Sequence, residues 1–214
     1  MKGRQAQVAG LNEFARQQKE ESRRRLIEAA ERVFDRAGYI ATSVDDIAQE
    51  AGVSRQTFYR HYDGKLAIAM EYFERQNDIS LPLWLRIGGL DYADRAVVAG
   101  WITQLFDFNE ARRLSIRTFI EMGIVEPAFV DRIKAVILGI IDSLGDRIPA
   151  LAAARGDGSA ARRRWVDAWL FFYQLREQCS MNATGFMSTD RAHVIDAFTD
   201  SFLALTAGPG RVTP

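Results

Sequence analysis

The stretch from Thr42 to Lys65, TSVDDIAQEAGVSRQTFYRHYDGK, constrains the chain more than any other, because its caps, apolar spacing and one glycine admit few backbone courses. Val44, Ile47, Ala48 and Ala51 fall on one face of a helix. Ser43 with Asp46 three residues on gives a capping-box start, and Thr42 with Asp45 offers the same start one residue earlier. Gly52 supplies the freedom for a sharp stop, and Ser54 can cap a second helix beginning at Arg55. On a 100° wheel Phe58 and Tyr62 of that helix point inward beside Val53. Gln56, Thr57 and Arg60 point outward, flanked by Arg55, Tyr59 and His61. No carboxylate lies between Arg55 and Tyr62.

Two short helices around a tight turn, the second offering polar and basic side chains, have the layout of a helix-turn-helix whose second helix enters a DNA major groove. Arg and Gln can contact guanine and adenine edges bidentately, each pair worth ~1–3 kcal/mol of discrimination. Thr and Tyr hydroxyls suit phosphates or a thymine methyl. Lys65, after Gly64, opens the next helix, where its charge and the helix-start N–H groups suit a phosphate. The competing reading is an ordinary solvated helical hairpin.

Residues 23–70 resemble the N-terminal DNA-binding domain of TetR/AcrR-type transcriptional regulators. The matching elements are an amphipathic first helix (Leu26, Ala30, Val33, Phe34, Ala37) ending in Ala37-Gly38-Tyr39, then Thr42-Ser43 and Ile47-Ala48. Ala51-Gly52-Val53-Ser54, Thr57-Phe58-Tyr59, Tyr62, and Lys65 followed by Ile68 complete the match. The resemblance implies an all-α fold, with an N-terminal three-helix helix-turn-helix domain and a C-terminal helical ligand-binding and dimerisation domain. It implies DNA contacts from Thr42, Ser43, Arg55, Gln56, Thr57, Tyr59, Arg60, His61 and Lys65. Arg55, Gln56 and Thr57 would approach bases; Ser43, Tyr59, His61 and Lys65 would mostly hold the backbone, with His61 also able to reach bases. Two departures stand out. Gly64, preceded by Asp63, replaces a small polar cap, and Leu66-Ala67 follow the lysine where acidic residues are common. Asp63 and the Asp45-Asp46 pair weaken phosphate attraction locally, so modest non-specific binding is expected.

Charge agrees with a local reader. The chain of 214 residues has zero formal net charge, yet residues 1–65 hold 12 Lys/Arg against 10 Asp/Glu, and the remainder 16 against 18. The expected organisation is a mobile arm over 1–22, a helix-turn-helix domain over 23–70, a helical effector-binding and dimerisation domain over 71–206, and a tail over 207–214. Arg4, Arg16 and Lys19 of the arm are available to a minor groove, and Leu11, Phe14 and Ala15 form at most a marginal amphipathic turn. Arg23-Arg24-Arg25, placed at a helix start, would oppose the helix dipole unless phosphates or Glu20, Glu21 and Glu28 answer them. No apolar stretch approaches the ~20 residues of a membrane span, and the N-terminus lacks a signal-peptide core. A single cysteine, Cys179, excludes an intrachain disulfide and fits a reducing cytoplasm. An enzyme is not expected. His61 and His193 are the only histidines, no metal-ligand spacing or phosphate-cradling glycine run occurs, and no metal or cofactor is implied.

The rest reads as helices over about 65–77, broken before Leu81-Pro82, then 92–108, 111–122, 127–144, 161–183 and 190–205. Gly88-Gly89 is a link, a short turn follows Pro149, and 156–159 form a loop. Trp165, Trp169, Phe172 and Tyr173 fall on one side of the penultimate helix, with Val166, Leu170 and Phe171 widening the arc. Val194, Ile195, Phe198, Phe202 and Leu205 stripe the last. The helical hairpin they form would build a four-helix homodimer interface, where the resembling family also dimerises. A small hydrophobic or aromatic effector is expected near Trp101, Phe119, Met122, Trp169, Phe172, Tyr173 and Arg176, the last pairing with Glu177 or Glu121, or anchoring an anion. By the resemblance, the ligand would tilt the 65–77 helix and spread the two readers. The expectation is thus a repressor released from a pseudo-palindromic double-stranded DNA operator by that ligand. The alternative is a helix-turn-helix binder without an inducer or acting with a corepressor.

Overall fold

The computed structural model describes residues 2–185 and 190–207, with side chains at position 13 and from position 16 onward. Among these residues every regular element is helical. The fold is all-α, in two compact units, Met1–Arg75 and Gln76–Pro214.

The first unit contains α1 (Lys2–Ala37), α2 (Val44–Ala51), α3 (Arg55–Tyr59) and the start of α4 (Lys65–Leu85). Helix α1 begins at Lys2, upstream of the Arg23 start expected from sequence. Positions 13–25 are rich in straight-chain Glu, Gln, Lys and Arg, which lose little rotamer freedom in a helix. Their charges meet at helical spacing: Glu13 accepts from Arg16 at 2.8 Å, and Arg24 reaches Glu21 at 2.6 Å and Glu28 at 2.8 Å. The Arg23-Arg24-Arg25 triplet therefore sits inside a helix, and the expected conflict with a helix start does not arise. The side chains of Arg4, Leu11, Phe14 and Ala15 lie outside the described set.

Gly38, at φ 83°, closes α1 by donating its N–H to Phe34 O at 2.7 Å. The core of this unit is made by Leu26, Ala30, Phe34, Ile47, Phe58 and Ile68, all at most 0% exposed. Phe34 stacks on Tyr72 at 6.2 Å and meets Tyr39 at 5.9 Å. Such ring pairs add ~0.5–1.5 kcal/mol each beyond the area they bury. The Tyr72 hydroxyl donates to Asp35 at 2.7 Å, which satisfies the one polar atom the ring brings in.

The second unit holds the rest of α4, then α5 (Arg95–Ala111), α6 (Arg113–Val125), α7 (Pro127–Gly145), α8 (Pro149–Ala152), α9 (Ser159–Thr184) and α10 (Arg191–Thr206). Helix α4 continues through Pro82, where the sequence suggests a break. The proline forfeits one backbone hydrogen bond, but the turn beyond it is held by tertiary contacts. Leu83 O accepts from Trp101 Nε1 at 3.0 Å, and Trp84 meets Trp101 edge-on at 6.5 Å. Gly88-Gly89 belong to a 3-10 turn over Arg86–Gly89. Helices α5 and α10 run antiparallel, because Arg95 at the start of α5 pairs with Asp196 and Asp200, while Arg191 at the start of α10 pairs with Asp107 and Glu110. Half-exposed pairs of this kind contribute little stability; they fix register. Residues 208–214 of the expected tail lie outside the described residues.

Candidate nucleic-acid interface

The reader is built by local rules. Ser43 Oγ accepts the Asp46 N–H at 3.1 Å while Asp46 accepts from the Ser43 N–H at 2.8 Å, a closed capping box that starts α2. Those hydrogen bonds from Ser43 hold the Asp46 carboxyl below the usual range. Gly52 adopts φ 63° and ψ 39° and ends α2. Its carbonyl and that of Ala51 accept from Arg25, so α1 clamps the turn. Ser54 Oγ accepts the Thr57 N–H at 3.1 Å and starts α3. Helix α3 is shorter than the sequence pattern suggests, ending at Tyr59, and Tyr62 N still donates to Phe58 O at 3.0 Å through the following turn. Phe58 and Tyr62 are buried, as their wheel positions require.

Arg55, Gln56, Tyr59 and Arg60 are exposed, and Thr57, His61 and Lys65 half-exposed. Most of them are tied within the unit, and Thr57 Oγ1 lies 3.0 Å from Ser54 Oγ. Arg55 Nη1 donates to both oxygens of Asp45, at 2.8 and 3.0 Å; its Nη2 lies 3.5 Å from Tyr59 OH, and its guanidinium carbon 5.6 Å from the Tyr59 ring centre. Tyr59 and Asp45 raise the guanidinium pKa still further, so its charge is permanent. His61 Nε2 lies 2.8 Å from Ser22 Oγ on α1. Burial, then the charges of Lys19, Arg23 and Arg60, hold this imidazole below its ordinary 6.5. Lys65 Nζ donates to Tyr39 O at 2.9 Å and sits 4.2 Å over the Tyr39 ring. Ser43 is exposed beside the reader.

Thr42 stands apart. It is 3% exposed, and its hydroxyl donates to Gly38 O at 2.6 Å. The side chain holds the α1–α2 loop and is buried, unlike the other expected contact residues. Arg23, not among the expected contacts, donates to Glu71 at 2.7 Å. The same carboxylate accepts from Tyr62 OH at 2.9 Å, and burial with this bond pushes the phenol up to about 12. The Asp45–Arg55 pair was also missed, since it spans ten residues across two helices and has no local periodicity.

The seven expected effector residues do not form one wall. Trp101 and Phe172 are buried and meet through Trp84, and Phe119 packs against Phe129 at 6.2 Å. Met122 is buried on α6. Trp169 and Tyr173 instead continue a stacked ladder from Trp165 along the outer side of α9, at 6.2 and 5.7 Å. Phe172 turns inward, away from the three residues with which the sequence grouped it, to meet Phe171 at 5.2 Å. Arg176 pairs with Glu177. Cys179 is buried, and its surroundings raise the thiol pKa, so it is an inert packing residue. Among the described residues no cluster of His, Cys, Asp and Glu could hold a metal, and no helix is long and apolar enough to cross a membrane.

Comparison with known proteins agrees with this geometry. The HTH-type transcriptional activator FasR of Mycolicibacterium smegmatis is 29% identical over 164 residues, covering 76% of this chain and 72% of FasR. Other HTH-type regulators are matched over less than half of their length. A tetR-family regulator from Streptomyces coelicolor superposes with a TM-score of 0.61 at 20% identity, over 88% of this chain and 81% of that one. Thermus thermophilus FadR, a repressor solved in complex with lauroyl-CoA, superposes with a TM-score of 0.54 at 21% identity, over 90% and 96% of the two chains. Residues 26–72 match the family model of bacterial regulatory proteins of the tetR family. The curated relatives are named HTH-type transcriptional regulators, residues 26–72 are a tetR-family DNA-binding domain with a helix-turn-helix as its DNA-binding element, and the chain as a whole is similar to TetR-type transcriptional regulators.

Proposed function

We propose that the chain is a homodimeric repressor that binds a pseudo-palindromic operator through α3 and leaves it when a small hydrophobic ligand enters the second unit. The observation that carries the DNA half is the exposed row Arg55, Gln56, Tyr59 and Arg60 on a short helix whose other face is sealed by Phe58. Arg55, Gln56 and Thr57 are assigned to bases, Ser43, Tyr59, His61 and Lys65 mainly to the backbone with His61 also within reach of bases, and Arg60 to the duplex without a narrower role. The dimer half is supported by α9 and α10, which leave Leu170 46% exposed at the wall of a groove of about 600 Å³ that includes Phe171, Phe198 and Leu205. The two α3 helices of such a dimer would meet successive major grooves of a pseudo-palindrome, about 34–36 Å apart. The ligand half is supported by the aromatic interior around Trp84, Trp101 and Phe172. FadR's lauroyl-CoA complex is a precedent in this fold for a ligand with a long acyl chain. The protein would work in the cytoplasm, on chromosomal DNA.

Activation is the second reading, favoured by the activator FasR. Selection of bound fragments from the source genome, followed by transcription in the presence and absence of the protein, separates the two. Repression predicts transcripts that rise when the protein is removed. A panel of acyl and aromatic ligands should raise the melting temperature and release the selected DNA; stabilisation without release would point to a corepressor, and no selected fragment would remove the DNA-binding reading.

A further inference from the structure

The reader's surface carries one acid in direct contact with a base-facing group, and its geometry is specific. Asp45 projects from the first turn of α2, and Arg55 from the first turn of α3. One guanidinium nitrogen, Nη1, is spent on both carboxylate oxygens, at 2.8 and 3.0 Å. The neighbouring Nη2 is directed to Tyr59 OH at 3.5 Å, and the ring of Tyr59 lies alongside the guanidinium carbon. Both partners of the pair remain more than 60% exposed, so it adds little to folding. What it does is hold a long side chain in one place on a solvent-facing surface.

Two consequences follow for a duplex. A phosphate samples Arg55 as a charge, and the adjacent carboxylate cancels most of that charge at short range. A guanine edge instead needs the guanidinium in a defined plane, with its remaining donors free to meet O6 and N7. A carboxylate that fixes one nitrogen keeps that plane and lowers the ordering cost of the contact. Asp45 therefore penalises the contact common to all sequences and assists the one that depends on sequence.

We propose that Asp45 is a specificity-determining positioning residue, which buttresses Arg55 for a base edge and withholds it from backbone phosphates. This rests on the reading of α3 as the DNA probe. It also gives a local cause for weak non-specific binding in a chain whose reader is otherwise cationic.

The test measures the affinity of full-length protein for a genome-selected operator and for a scrambled duplex, each across a salt series. Asp45→Asn should tighten scrambled-duplex binding and steepen its log–log salt slope by about one unit, as one further cation meets phosphate. Operator affinity should rise less or fall, shrinking the specificity ratio on the order of tenfold. In an Arg55→Ala background the same Asp45→Asn change should move neither ratio nor slope, because its effect passes through the arginine. Melting curves of all four proteins show that the reader stays folded, and Asp45→Glu, which keeps the charge at α2's start, should retain most of the specificity ratio. If Asp45→Asn tightens operator and scrambled binding equally, or acts alike with and without Arg55, the acid merely repels phosphate and the proposal falls while DNA binding stands. If the wild-type protein selects no DNA, the underlying reading falls as well.

Discussion

At the scale of single residues, Arg55 and Lys65 of the reader are not loose charges awaiting a duplex. Lys65 is the clearest case, donating to Tyr39 O and lying over the Tyr39 ring. A phosphate would share this ammonium with the loop that follows α1. Lys65→Ala should therefore lower affinity for operator and scrambled duplex alike and flatten the salt slope by about one unit. It should also lower the melting temperature, because a buried-edge carbonyl loses its donor. An altered base preference with an unchanged slope would show that Lys65 reads sequence instead. His61 gives a pH-dependent counterpart. Its folded-state pKa lies below the unfolded 6.5 because of burial and then the nearby Lys19, Arg23 and Arg60 charges. A depressed pKa means that the neutral form is favoured in the fold. This contribution to stability is present above pH 6.5 and lost as pH falls through the folded value. An NMR titration should find the imidazole midpoint below 6.5 in the free protein. Adding operator should move it upward, since a phosphate favours the cation. A midpoint at or above 6.5 without DNA would contradict the packing of His61 against Ser22.

At the scale of elements, the turn between α2 and α3 sets the angle of the probe, and one backbone conformation holds it. Gly52 sits at φ 63°, and a Cβ there would lie 2.8 Å from the Arg25 guanidinium that bonds Ala51 and Gly52. The left-handed conformation alone costs an L residue roughly 1–2 kcal/mol, and displacing Arg25 adds the loss of its carbonyl contacts. Gly52→Ala should therefore destabilise the first unit by about 2 kcal/mol in urea unfolding and weaken operator binding; unchanged stability would mean that the turn is more tolerant than its geometry implies. This turn was legible in the sequence because caps, a glycine and the Phe58–Tyr62 spacing are local signals. Helix α4 was not legible beyond Asn77. Pro82 is a strong local stop signal, and the contacts that override it come from Trp101, far along the chain. The Asp45–Arg55 and Lys65–Tyr39 contacts were hidden for the same reason: each joins two elements, and no periodicity within one helix announces it. On α9 the sequence indicated a surplus of aromatic surface but merged two faces. The 100° step from Phe172 to Tyr173 carries one ring into the core and leaves the other on the outer ladder.

At the scale of the whole molecule, the outstanding question is how one short α3 distinguishes an operator from bulk DNA. A probe of five residues in the helix proper can bring only about three or four side chains to base edges, as single recognition helices do. In the proposed dimer, two probes would multiply that discrimination, because the second contact becomes intramolecular, with gains of roughly 10²–10⁴ in avidity. The surface proposed for such an assembly lies on α9 and α10, where exposed Leu170 lines a groove with Phe171, Phe198 and Leu205. Leu170 is the sharpest probe of this arrangement, since it is 46% exposed and its replacement leaves the core around Phe171 and Phe172 packed. In the proposed dimer, Leu170→Glu would exchange an apolar contact for a carboxylate facing its symmetry mate, and burying that charge is costly. Sedimentation should find the wild type as a dimer and Leu170→Glu as a monomer with an unchanged helical spectrum. Its operator affinity should fall at least 100-fold, while binding to an isolated half-site, weak in both proteins, should change little. A Leu170→Glu protein that stays dimeric and holds its operator would place the two-fold contact on another face. A monomer that still binds the full operator tightly would mean that one copy of α3 suffices for recognition.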